Sequence, residues 1–342
     1  TSCDSGSSAN QNSRISDLEY KGAVLTHIHN FEDGYGSEKS KSMQVHLKKS
    51  GYDSVQLNTF GYMENIKSTK IFYKHDLTLS NKAVRKEIQN LKSNGFKVVL
   101  KPHIWIGGLN FDPENWINKI DYQNQKDLEK WFKNYTDFIL DQARVAEEEK
   151  VELFVIGTEL VGLVKYKSHW EKLIQGIRTV YKGKLTYAAE GRKAKNVPFW
   201  ESLDYIGIDA YFPLSNKINP TLDELTSGWN KYNQELEKLS SDNKRKIIFT
   251  ELGYKSVEGT SIKPWLWIDS TAAKSEKEQA DCYRATFEFI KKSPYIAGIF
   301  IWKYFTDMES KEEADNIEKG FTPYKKEAEK VVSEYLLSAP NN

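Results

Sequence analysis

Phe154-Val155-Ile156-Gly157-Thr158-Glu159-Leu160 is an apolar run that closes on a carboxylate, and Ile247-Ile248-Phe249-Thr250-Glu251-Leu252-Gly253 repeats the pattern further along the chain. Both runs are rich in β-branched and aromatic residues and are apolar without alternation. Continuous apolarity of this kind marks a parallel strand covered on both faces. Each run ends Thr-Glu-Leu, so a charged group sits where a buried strand emerges.

Six further runs share the pattern, and together they predict strands at Gly22–Ile28, Ser54–Phe60, Lys97–Ile104, Glu152–Glu159, Lys184–Glu190, Tyr205–Asp209, Lys246–Glu251 and Ala297–Trp302. Between them lie segments with apolar residues three and four apart, the period of an amphipathic helix. Leu128, Trp131, Phe132, Tyr135, Phe138 and Ile139 form one such stripe; Trp170, Leu173, Ile174 and Ile177 form another, and Ala280, Tyr283, Phe287 and Ile290 a third. The fifth helix is weak, with only Val197–Ser202 available for it. Tight polar turns such as Ser50-Gly51-Tyr52-Asp53, Asn94-Gly95-Phe96 and Lys182-Gly183-Lys184 lead into strands. The segments leaving the strands, such as 60–80, 105–123 and 253–273, are long and irregular. Short turns at one end and long loops at the other fit an α/β chain folded as one single-domain (β/α)₈ barrel over residues 19–342. A doubly wound open sheet is the less fitting alternative, because no glycine-rich phosphate loop follows the first strand.

The chain has 342 residues and a formal charge of +1, with 49 Lys and Arg against 48 Asp and Glu. So even a balance argues against a nucleic-acid partner. The 9 Trp, 19 Tyr and 16 Phe fill a core, and they also offer the flat faces on which pyranose rings stack. No apolar run is long enough to span a membrane. Cys282 falls on the helical stripe near the end and reads as a buried thiol. Residues 1–18 are polar, carry no hydrophobic period and read as a disordered tether. Within them Thr1-Ser2-Cys3-Asp4-Ser5 resembles the mature start of a bacterial lipoprotein, acylated at Cys3; a plain flexible tail is the alternative. The first reading places the protein at the bacterial cell envelope, the second leaves it secreted.

In a (β/α)₈ barrel the chemistry sits at the C-terminal ends of the strands. Glu159 ends the fourth strand and Glu251 the seventh, on opposite sides of the pore. A lone glutamate there could simply accept hydrogen bonds from loops. Two facing each other suit glycosidic cleavage with retention, which needs carboxyls roughly 5–5.5 Å apart, one protonated and one ionised.

This arrangement resembles clan A of the glycoside hydrolases, which carry the acid/base after the fourth strand and the nucleophile after the seventh. Gly157-Thr158-Glu159-Leu160, Thr250-Glu251-Leu252-Gly253-Tyr254 and Gly298-Ile299-Phe300-Ile301-Trp302 are, within that clan, similar to glycoside hydrolase family 113. Thr158 stands where most of the clan has Asn, which removes the usual contact to the substrate 2-hydroxyl. The resemblance covers residues 20–337 and implies hydrolysis of β-mannosidic linkages, with retention and with neither metal nor other cofactor. It makes Glu159 the acid/base, Glu251 the nucleophile and Trp302 the floor beneath the reactive sugar. It places Asn58 and His103, with Lys101 on the same strand face, where sugar hydroxyls are held, and Tyr211 where it can orient the nucleophile. Glu190 and Asp209 also end strands, and are expected to shape the site by pairing with Arg192 or Lys101. Trp105, Tyr254, Trp265 and Trp267 lie on long loops as candidates for outer sugar subsites.

Three rival readings stay open at this level. One is a glycan-binding surface lipoprotein without activity, although binding alone has no need of two opposed carboxylates. Another is an exo-acting β-mannosidase or a transglycosylase. The third is a metal hydrolase using His27 and His29, which lack the accompanying strand-end ligands such a site requires.

Overall fold

The eight apolar runs become eight strands in a computed structural model that describes residues 14–28, 32–74, 79–107, 112–266, 271–310 and 314–338. They are β1 (Tyr20–Thr26), β2 (Ser54–Met63), β3 (Lys97–Ile106), β4 (Leu153–Thr158), β5 (Lys184–Glu190), β6 (Ile206–Asp209), β7 (Ile247–Leu252) and β8 (Ile296–Phe305). Each pairs in parallel with its sequence neighbour, and β1 pairs with β8 to close the barrel. The helices are α1 (Glu38–Lys49), α2 (Asn81–Ser93), α3 (Gln125–Glu148), α4 (Lys167–Val180), α5 (Leu222–Asn243), α6 (Glu276–Lys291), α7 (Ala314–Lys319) and α8 (Glu327–Leu337). Between β5 and β6 only two 3₁₀ segments occur, Gly191–Asn196 and Trp200–Ser202, in keeping with the weak helical signal there.

Two apolar layers hold the barrel. Tyr20, Val24, Val99, Leu153, Val155, Ala188, Ile248, Ala297 and Phe300 fill its interior. The outward faces of the strands pack on the helices; the predicted α3 stripe from Leu128 to Ile139 is fully buried there. Cys282 is likewise a buried thiol within α6.

Strands β2, β3 and β8 extend past the ends expected from sequence, to Met63, Ile106 and Phe305. Asn58, His103 and Trp302 therefore stand within strands, with rungs of side chains above them. The reason is packing: Tyr62 and Trp105 are aromatic strand formers that carry the ladder past the predicted ends at Phe60 and Ile104.

Breaks in register shape the mouth. The β4–β5 pairing shifts between Val155 and Thr158, the β6–β7 pairing between Ile208 and Asp209, and the β7–β8 pairing between Phe249 and Leu252. Such bulges re-aim side chains at barrel rims. Gly157 sits in the first of them, where a β-carbon would lie 2.9 Å from the Trp170 ring and 3.0 Å from that of Tyr187. At the opposite rim, strand-entry charges alternate in sign and pair: Lys97 with Asp53 at 4.0 Å, Lys184 with Asp204 at 3.9 Å, Lys246 with Glu19 at 3.6 Å.

Candidate active site

Glu159 follows β4 in the left-handed region, at φ 51°. A side-chain-bearing residue there costs on the order of 1–3 kcal/mol, so its surroundings must hold it. They do so through two bonds: the Glu159 amide donates to Ala188 O at 2.9 Å and the Leu160 amide to Tyr187 Oη at 2.9 Å. The strand thus stops at Thr158 and turns the Glu159 carboxyl over the mouth.

Glu251 comes from β7 and is held at both oxygens. Lys101 Nζ donates to Oε1 at 3.0 Å, and the Tyr211 hydroxyl donates to Oε2 at 2.9 Å. Lys101 is wholly buried and donates also to Asp209 Oδ1 at 2.9 Å. Thr250 Oγ1 donates to that same oxygen at 2.8 Å. Oxygen atoms of Glu159, Asp209 and Glu251 all lie within 4.8 Å of one another. The Lys101 ammonium provides the positive charge that this cluster needs.

Electrostatics separate the two glutamates. Burial, then the charge of Asp209, pushes Glu159 well above the usual carboxyl range. Burial and Asp209 push Glu251 up too, but Lys101 and Tyr211 pull it back, to about 7. Glu159 is therefore the later of the two to lose its proton. Burial opposes the charge on Lys101, yet Asp209 and Glu251 outweigh it and raise the ammonium above its ordinary value. Burial, with Lys101 and Lys303 nearby, drives His103 well below its ordinary value and keeps the imidazole neutral.

Several buried polar atoms around this cluster have no hydrogen-bond partner among the described residues: both side-chain atoms of Asn58 and of Gln56, Nε2 of His103 and Oγ1 of Thr158. Buried polar groups are normally paired, so unpaired ones lining a mouth are groups that ligand hydroxyls can satisfy. Asn58 and Lys101 are register partners on β2 and β3. Gln56 lies two residues before Asn58, on the same strand face, and the period of two could have singled it out from sequence. Above them Phe60, Tyr62, His103, Trp105 and Trp116 form an aromatic wall, with Phe60 5.4 Å from His103 and Trp105 5.2 Å from Trp116 between ring centroids. Phe60, Tyr62 and Trp116 were missed because aromatic residues at a strand end or in a loop read equally as ordinary core. Trp302 is half-buried against the interior layer, with Lys303 Nζ 4.9 Å from its ring centroid.

Other candidates lie elsewhere. Tyr254 is fully buried, shares a hydrogen bond with Thr286 at 2.9 Å and packs edge-on against Tyr283, so it is a core residue and not a sugar subsite. Glu190 pairs with Lys193 at 2.8 Å on the solvent side, while Arg192 pairs with Glu235 at 2.7 Å; of the two expected pairings only that of Asp209 with Lys101 forms. The short Gly191–Asn196 segment carries both basic residues outward. Trp265 is 48 % exposed on its loop. Trp267, His29 and Cys3 lie outside the described residues.

A barrel with a glutamate after β4 facing a carboxylate on β7 has the two-carboxylate arrangement of enzymes that cleave glycosidic bonds. The family model of Glycoside Hydrolase Family 113 matches residues 26–326, and the chain belongs to that family. Comparison with curated proteins gives no match. Among solved structures, the chain is similar to a complex of a GH113 β-1,4-mannanase, with TM-score 0.81, 22 % identity, and coverage of 94 % of this chain and 99 % of the other. A GH113 β-mannanase from Alicyclobacillus acidocaldarius, in complex with ManMIm, gives TM-score 0.81 at 24 % identity, covering 94 % and 98 %. A Faecalibacterium prausnitzii β-glucuronidase shares the barrel more distantly, with TM-score 0.61, 15 % identity and coverage of 94 % and 49 %.

Proposed function

We propose that this glycoside hydrolase cleaves β-1,4-mannosidic linkages in mannan or manno-oligosaccharides by double displacement, with Glu159 as general acid/base and Glu251 as nucleophile. The observation that carries the mechanism is the approach of the Glu159 and Glu251 oxygens to within 4.8 Å. An inverting enzyme keeps its carboxyls about 6.5–9.5 Å apart to admit a water molecule; a retaining one brings them close. The mannosidic substrate is supported by family membership and by the two mannanases of similar fold.

In the first step Glu159 gives its proton to the glycosidic oxygen, the bond from the anomeric carbon to that oxygen breaks, and Glu251 bonds to the anomeric carbon. In the second, ionised Glu159 takes a proton from water, whose oxygen displaces Glu251. Tyr211 and Lys101 fix the nucleophile, and Trp302 supplies the platform for the reactive sugar. Asn58, His103 and Thr158 offer their unpaired polar atoms to its hydroxyls, and Trp105 with the aromatic wall lines the way out.

A time course on β-manno-oligosaccharides of several lengths, beside cello- and xylo-oligosaccharides, tests the substrate. Cleavage confined to the manno series, with internal bonds cut first, supports the reading; cleavage of another series alone, or of none, overturns it. Glu251→Ala should lose turnover and regain cleavage with azide, giving an inverted product. Glu159→Gln should harm substrates with poor leaving groups far more than activated aryl glycosides.

No helix among the described residues is long and apolar enough to cross a membrane. We infer a lipid anchor at Cys3 from the sequence around it. Support comes from Thr1-Ser2-Cys3-Asp4-Ser5, which resembles the mature start of a bacterial lipoprotein. Fatty-acid labelling of the precursor at the cell envelope checks it, and an unlabelled Cys3 sinks it.

A further inference from the structure

Asp209 lies outside the two catalytic roles, yet it is the most enclosed carboxylate of the three. It ends β6, is 1 % exposed, and its two oxygens have unequal surroundings. Oδ1 accepts from Lys101 at 2.9 Å and from Thr250 at 2.8 Å. Oδ2 is buried and receives no bond from any permanently protonated donor among the described residues. A Glu159 carboxyl that carries its proton can supply one, since a Glu159 oxygen and an Asp209 oxygen lie within 4.8 Å of each other.

We propose that Asp209 is a positioning residue for the acid/base: its Oδ2 accepts the hydrogen bond of protonated Glu159 and holds the catalytic proton on that residue until a glycosidic oxygen takes its place as acceptor. The proposal rests on the roles given above for Glu159 and Glu251. Two carboxyls this close share a proton in preference to both ionising. The groups around them decide which one keeps it. Lys101 from β3 bonds Asp209 and Glu251, favouring charge on both. Tyr211 beyond β6 donates to Glu251, Tyr187 on β5 accepts from the Leu160 amide, and His103 beside Lys101 stays neutral. Glu159 is the carboxyl left with the proton.

The same arrangement balances the reaction. Before cleavage, Asp209 and Glu251 are ionised against the Lys101 ammonium, with Glu159 neutral: one net negative charge. When the Glu159 proton passes to the leaving oxygen and Glu251 becomes an ester, Glu159 and Asp209 are ionised against the same ammonium. The net charge of the cluster is unchanged, and Lys101 keeps Asp209 as its ionised partner. Proton return from water in the second step restores the Glu159–Asp209 bond.

The test is Asp209→Asn, which keeps the shape but presents an amide that can donate to ionised Glu159. The alkaline limb of kcat/KM on unactivated β-mannosides should move down by about one pH unit or more. At neutral pH the rate on such substrates should fall at least about tenfold more than on activated aryl glycosides, and acidification should recover it, because losing the Asp209 charge also lowers Glu251 and moves the acid limb down. A profile lowered evenly at every pH, with its limbs in place, would overturn the proposal and leave Asp209 as an anchor for Lys101. Should the variant fail to fold, ¹³C-carboxyl NMR of the unsubstituted enzyme decides. Glu159 and Asp209 signals that respond together over two steps support the shared proton, and independent single titrations overturn it. That titration needs no substrate, so it stands apart from any failure of the mannoside reading.

Discussion

The hydroxyl of Tyr211 donates to Glu251 Oε2 at 2.9 Å, from the loop that leaves β6 to the carboxylate on β7. With Lys101 on the other oxygen, the nucleophile is fixed before substrate arrives, which lowers the reorganisation needed at the moment of attack. This pairing and the Asp209 bridge make four side chains from β3, β6, β7 and the loop after β6 act as one unit.

Tyr211→Phe removes one donor and keeps the ring, which packs 6.0 Å from Phe321. A hydrogen bond to a charged group contributes about 1.5–3 kcal/mol, so kcat/KM should drop about 10- to 150-fold with little loss of stability. Steady-state kinetics beside thermal unfolding checks this. An unchanged kcat/KM would show that Lys101 alone holds the nucleophile.

Lys101→Met strands Asp209 and Glu251 without their cation in a buried site. Breaking such a pair costs about 3–5 kcal/mol, unlike replacing the whole cluster by apolar groups. Urea unfolding at pH 8 should show a loss of that order, shrinking at acid pH as the two carboxyls take up protons. A loss that is the same at both pH values would mean that packing, and not charge, is what Lys101 supplies.

The pH dependence of activity follows from the two raised glutamates. Activity requires Glu251 ionised and Glu159 protonated, so kcat/KM should rise through an acid limb near 7 and fall again at higher pH as Glu159 ionises. For stability the sign is opposite to that of an exposed salt bridge. Because folding raises the Glu251 value from about 4.5 to about 7, the folded state binds the proton more tightly. Its contribution is fully present below about 4.5 and is lost as pH rises through 7. Glu251→Gln should therefore be more stable than the parent at pH 8, with the advantage gone below about pH 4.5. Paired melting curves across that window measure it; an advantage growing toward acid would reverse the assignment.

Trp302→Ala removes the platform proposed for the reactive sugar. Deleting an apolar face of this size forfeits about 1.5–3 kcal/mol of contact, or about 10- to 150-fold in kcat/KM. If the loss appears wholly in KM, the ring binds ground state and transition state alike; if in kcat, it acts chiefly on the distorted sugar. No loss on any substrate would remove Trp302 from the site.

Much of this was legible before any coordinates. Unbroken apolar runs alternating with helical stripes require strands buried on both faces, and a Glu closing two such runs has to sit at a rim. Even the poverty of the segment between β5 and β6 was visible, because Val197–Ser202 is too short for a helix. The strand ends were less legible: Phe60, Tyr62 and Trp105 suit strand and loop wall alike, and only their cross-strand partners decide between them.

What the sequence determined by itself is therefore the alternation, its period and the placing of Glu159 and Glu251, all of which are properties of local pattern. The tertiary structure decided the partnerships. Asp209 takes Lys101, Glu190 turns outward to Lys193, Tyr254 sinks into the core and Thr158 presents a bare hydroxyl. Each outcome depends on register shifts and on which charges meet in a buried space. The physical reason is that pairing between charges depends on distance and burial, and neither follows from separation along the chain.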